Sequence, residues 1–132
     1  MVSIARSKSF TKVATRLEEI EVLLGKSIQT PASANFIAIN WALGGTARVL
    51  LDRATTTFAF SGAYDGQRLV LELTQDGVGG RGVAFGAEVV AGIDFSIPIP
   101  LSGIGKTDLL GFIYKASTGK YRYSSLARGY TE

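Results

Sequence analysis

The chain has 132 residues, 46% hydrophobic and 19% charged, with 14 lysines and arginines against 11 carboxylates. That size and balance suit one globular domain with a single core. Cysteine and histidine are both absent, which excludes disulfides, thiolate nucleophiles, Ser-His-Asp triads and Cys- or His-ligated metals.

The formal charge of +3 is uneven: residues 1–35 carry Arg6, Lys8, Lys12, Arg16 and Lys26 against Glu18, Glu19 and Glu21, and the rest is close to balance. The first dozen residues hold only positive charge and no apolar stretch of a secretory signal. No apolar run in the chain approaches the ~18 residues of a membrane span, so the expectation is a soluble protein made in the cytoplasm, with no membrane partner. Such a basic arm suits an acidic protein surface. Nucleic acid is not expected, because the charges are few and no aromatic residues are interleaved for base stacking.

The stretch FTKVATRLEEIEVLLGKS predicts a short amphipathic helix, with Val13, Leu17, Ile20 and Leu24 on one face and Gly25 as its stop. The spacing fits a coiled-coil seam with Leu17 and Leu24 at a and Ile20 at d, a choice that favours three or four strands. It fits equally a helix that docks on a β domain. Residues 25–35, GKSIQTPASAN, predict a turn and linker around Pro31. The expected division is therefore residues 1–34 as arm, helix and linker, and 35–132 as a β domain.

From there the chain predicts strands near 35–43, 46–52, 55–61, 67–74, 81–85, 92–99, 107–116 and 119–130, punctuated by Gly, Asp, Asn or Pro. Short strands at spacings near ten residues, with no helical pattern between them, predict a mainly β fold: an antiparallel β-sandwich or jelly-roll-like domain. Leu69, Leu71 and Leu73 share one face, while Arg68, Glu72 and Thr74 share the other with Val70 among them. A hairpin is expected to join Phe112 and Tyr114 to Tyr121 and Tyr123, with Gly119 supplying positive φ.

Two glycine motifs invite a nucleotide reading and neither has the context for it. GVGGRG places Gly77, Gly79 and Gly82 at dinucleotide-fingerprint spacing, but the residues that follow read as strand where that motif opens a helix. Gly105-Lys106-Thr107 matches the end of a P-loop, yet Pro100 stands where its first glycine belongs. Nothing pairs any two of Asp65, Glu72, Asp76, Glu88, Asp94 and Asp108 for acid-base work. No catalytic, cofactor-binding or metal-ligating residue is therefore expected.

The phrases DGQRLVLELTQDGVGGRGVAFG and GKTDLLGFIYKASTGKYRYSSLARGY together resemble a small β module of tailed-bacteriophage structural proteins, one that recurs at the C-terminal end of fibre-like or shell-attached chains. The first looks like LxLxQDxxGGRxVxF, matched by Leu71, Leu73, Gln75, Asp76, Gly79, Gly80, Arg81, Val83 and Phe85. The second is matched by Gly105-Lys106-Thr107-Asp108, Gly111-Phe112, Gly119-Lys120 and Arg128-Gly129-Tyr130. The likeness covers roughly residues 46–130 and leaves the helix and arm outside it. Members of this family often carry Trp just after the position of Phe85; here Gly86-Ala87 follows.

The resemblance implies a virion component that acts by association. One expectation is a capsid decoration or cement protein, or the base of a head fibre. It would be a homotrimer bound to the major capsid protein or another virion protein, with Val13, Leu17, Ile20 and Leu24 for self-association and Arg6, Lys8 and Phe10 for anchoring. The alternative is a tail-fibre tip or adaptor that binds host glycan or a fibre protein through Tyr64, Tyr114, Tyr121, Tyr123 and Tyr130. For those tyrosines a cross-strand ladder within the sheet is the competing explanation.

Overall fold

The computed structural model describes residues 27–97 and 99–132. The expected N-terminal helix lies outside them. The described chain is mainly β: β1 (Ile28–Gln29), β2 (Phe36–Asn40), β3 (Thr46–Leu51), β4 (Thr55–Ser61), β5 (Arg68–Gln75), β6 (Gly82–Phe85), β7 (Val89–Ala91), β8 (Thr107–Lys115) and β9 (Lys120–Tyr130), with one 3-10 turn at Trp41–Leu43.

Period-two alternation makes these segments strands and decides which side of each is buried. Along β5, Leu69, Leu71 and Leu73 are almost fully buried while Arg68 is exposed and Val70, Glu72 and Thr74 are half-buried. The same alternation buries Ile37 and Ile39 on β2, Val49 and Leu51 on β3, and Phe58 and Phe60 on β4.

The strands form a mixed six-stranded sheet in the order β1-β3-β5-β8-β9-β7 and a three-stranded sheet in the order β2-β4-β6. The expectation of antiparallel sheets is met only in part. β5–β8 and β8–β9 are antiparallel, but β1–β3, β3–β5, β2–β4, β4–β6 and β7–β9 are parallel. The cause is that β1 to β6 fall alternately in the larger and the smaller sheet. Consecutive strands thus belong to different sheets, and each of β1 to β4 pairs with the strand two places on.

Residues read as linker also enter the sheet, since Ile28 and Gln29 pair with Thr46 and Ala47. The described residues of 92–99, expected as a strand, form none. Pro98 and Pro100 remove backbone donors there, and the short strand β7 lies just before the segment and pairs with Tyr121 to Tyr123. The expected hairpin is present: Tyr114 faces Tyr121 and Lys115 faces Lys120, and Gly119 turns the chain at φ 65°.

Both sheets contribute to one hydrophobic core. Phe60 sits at its centre, with ring centroids 5.1 Å from Trp41, 5.7 Å from Phe85, 5.1 Å from Phe112 and 5.3 Å from Tyr121. These edge-on contacts bridge the sheets and add to the burial of the rings themselves. Two buried glutamines fasten the loops at either end of β5. Gln67 donates to the Trp41 carbonyl and accepts from the Tyr64 amide, while Gln75 donates to the Arg81 carbonyl and accepts from the Arg81 amide.

Candidate functional site

β5 and β8 run antiparallel, and the loop that follows β5 meets the turn that precedes β8 at one end of the larger sheet. The two sequence phrases quoted above converge here. The Gln75 amide donates to the Lys106 carbonyl and the Gly105 amide to the Asp76 carbonyl. Gly79, at φ 73°, lies so close to Ile104 that a Cβ there would meet its side chain. The closing Arg128-Gly129-Tyr130 joins the same end: Arg128 donates to the Pro100 carbonyl.

The glycine loop is built around one carboxylate. Asp76 Oδ1 accepts the amides of Val78 at 3.2 Å and Gly79 at 2.9 Å, and the Arg81 guanidinium donates to both carboxylate oxygens. The Arg81 hydrogen bond, then the Gly79 amide and to a smaller degree the Val78 amide, hold the Asp76 carboxyl down to about 2 against a partial desolvation that opposes them. Successive amides in a glycine-rich turn are the groups that would cradle a phosphate. Here their anion is supplied from within, so the loop fastens the chain and has no free cradle to offer.

Asp108 is the second buried clamp. It is 1% exposed and accepts the Ser102 amide at 2.7 Å and the Gly129 amide at 2.9 Å. It thereby ties the start of β8 to the preceding loop and to the end of β9. Lys106, the residue that would reach a nucleotide phosphate in a P-loop, instead donates to the Thr131 hydroxyl. Sequence reading missed this role of Asp108, because both amides that it holds come from other segments.

The remaining carboxylates are dispersed. Asp65 accepts the Ala116 amide, Glu72 pairs with Arg48 at 2.8 Å, and the Glu88 side chain packs against Gly86. Among the described residues no group of three or more His, Cys, Asp or Glu side chains is placed to hold a metal ion. Val78, Ile104 and Tyr130 are exposed at this end by 70%, 61% and 44%.

The tyrosines separate into two groups. Tyr121 and Tyr123 are buried, and Tyr114 is half-buried. The Tyr114 ring lies 4.5 Å from Tyr121, tilted by 41°, and Phe112 lies 5.6 Å from Tyr123, which is the ladder that register alone sets up. Burial pushes the Tyr121 and Tyr123 hydroxyls above the usual phenol range. As candidate recognition residues Tyr121 and Tyr123 are thus corrected, since their rings are spent in the core. Tyr64 is exposed on the turn before β5 and Tyr130 at the opposite end of the sheet, so the two do not form one surface. Val13, Leu17, Ile20 and Leu24, and likewise Arg6, Lys8 and Phe10, lie outside the described residues.

No family model matches the chain, and no curated protein matches it significantly.

Proposed function

We propose that the protein is a non-enzymatic structural component of a tailed-bacteriophage virion: a capsid decoration or cement protein, or the base of a head fibre. On this reading the two sheets form a β-sandwich with a shared core, and the N-terminal arm and helix hold it on the particle. The observation that carries the proposal is the interlocked end described above. The phrases that resemble the phage module supply residues that fasten one another, Asp76 to Arg81 and Asp108 to Ser102 and Gly129, which supports a framework role for them. Association of copies as a trimer would let several weak arms act together at high effective concentration.

The test is cryo-electron microscopy of particles that carry the protein, together with deletion of residues 1–26, which spares β1. The expected outcome is many symmetry-related copies on the shell, and a truncated chain that folds but no longer binds. Retained binding by the truncated chain would remove the anchoring role, and a monomer in light scattering at micromolar concentration would remove the trimer.

The second reading is a tail-fibre tip or adaptor that engages host glycan or another fibre protein. The exposure of Tyr64 and Tyr130 favours it, because each offers an apolar ring face and a hydroxyl together. A few copies at the tail, in place of many on the shell, would select it.

A further inference from the structure

The outer face of the six-stranded sheet carries a row of side chains set by register. Arg68 on β5 faces Ile113 on β8, Ile113 faces Arg122 on β9, and Arg122 faces Val90 on β7. Arg122 is exposed between the buried Tyr121 and Tyr123, so its guanidinium leaves the core side of the sheet. Arg68 and Arg122 stand two strands apart, roughly 10 Å at ordinary strand spacing. One row further along, Lys115 faces Lys120 directly, a like-charge pairing that costs a sheet stability.

Among the described residues these cations have no counter-ion. Further along the same face Arg48 pairs with Glu72, yet among the described residues Arg68, Lys115, Lys120 and Arg122 form no ion pair. Of the acids on the flanking loops, Asp65 accepts the Ala116 amide, the Glu88 carboxylate lies against Gly86, and Asp94 is exposed two residues beyond Gly92. Lys120 donates to the Ala87 carbonyl. Beside Arg122 the surface is concave, a groove of about 470 Å³ lined by Val90, Ala91, Ile113 and Ser124 among others.

We infer that this groove binds an acidic saccharide, with Arg122 gripping a carboxylate of the sugar and Arg68 and Lys115 meeting the charges of neighbouring units. The volume is in the range of small-ligand sites and far below a duplex. A guanidinium matches a carboxylate with two parallel hydrogen bonds. The aliphatic walls of Val90 and Ile113 suit the C–H faces of a pyranose, and the Ser124 hydroxyl, which donates to the Gly111 carbonyl, can still accept from a sugar hydroxyl. Base stacking has no platform here, because the adjoining Tyr123 ring is turned into the core. The inference does not depend on where in a particle the protein sits.

The experiment is a titration of the isotope-labelled full chain with a short galacturonate oligosaccharide, followed by amide shifts. Its methyl ester, which keeps the shape and loses the charge, is the control. The acid form is expected to shift Val90, Ala91, Ile113, Arg122 and Ser124 while the ester leaves them in place. Arg122→Gln should weaken binding about tenfold or more, Arg122→Lys should recover part of the loss, and Arg48→Gln should change nothing. Absence of these shifts at millimolar sugar overturns the proposal. So does equal binding of polyglutamate or of oligothymidylate, which would make the corner a general polyanion surface.

Discussion

The Arg81 guanidinium lies across the Asp76 carboxylate, with Nη2 2.8 Å from Oδ2 and Nε 3.2 Å from Oδ1. The pair closes the glycine loop that links the last residue of β5 to β6. Its carboxyl is held from 3.8 down to about 2, so the folded state favours the ionised form more than the unfolded state does. The stabilisation is therefore complete above the unfolded value and fades as pH falls through the folded one. Asp76→Asn is expected to lower the melting temperature near neutral pH, and the gap from the parent protein should close between about pH 4 and pH 2. Thermal unfolding of both proteins across that range checks it, and a gap independent of pH would contradict the role given to the ionised carboxylate.

Gly79 and Gly80 share left-handed backbone, at φ 73° and 68°, but differ in surroundings. A Cβ at Gly79 meets Ile104, whereas one at Gly80 meets open space. Gly80→Ala should cost about 1–2 kcal/mol for the backbone alone, and Gly79→Ala should cost more because Ile104 must also move. Urea unfolding of the two variants decides the order. Equal costs would mean that Ile104 gives way freely.

The inward faces of the strands were legible because burial writes itself into the sequence with period two, as in Leu69, Leu71 and Leu73. The partners of those strands were not. A strand whose neighbour is the next segment and one whose neighbour is two segments on show the same alternation and the same spacing, so the parallel pairing of Thr46 with Val70 leaves no local mark. Residues 92–99 misled through alternating isoleucines, which mimic a strand where the prolines deny it ladder bonds. The glycine loop was legible as a turn because its context failed every phosphate motif. The Asp108 clamp was hidden, since Ser102 and Gly129 come to it only through the fold.

Phe60 and Phe36 test how the core is distributed. Phe60 is 7% exposed and touches four other rings across both sheets, whereas Phe36 on the edge strand β2 is 59% exposed. Phe60→Ala should cost about 3–5 kcal/mol through lost burial and the cavity left behind. Phe36→Ala should stay within about 0.5 kcal/mol. Denaturant unfolding gives both numbers, and a large loss at Phe36 would mean that this edge is covered in solution.

Asp108 offers the sharpest test of the idea that the residues at this end of the sheet act as framework. Its carboxylate is buried and accepts one amide from the loop before β8 and another from the end of β9, which adds to the ties that Arg128 makes to Pro100 and Lys106 to Thr131. Asp108→Ala removes the acceptor of two part-buried amides, at about 1 kcal/mol for each. The loss should be local before it is global, because β5 and β8 remain paired through Leu71 and Leu110. Hydrogen exchange should therefore accelerate at Ser102 and Gly129 under conditions where the amides of Leu71 and Leu110 stay protected. Uniform acceleration across the sheet would instead mean that the clamp is part of the global folding unit, with no separately releasable end.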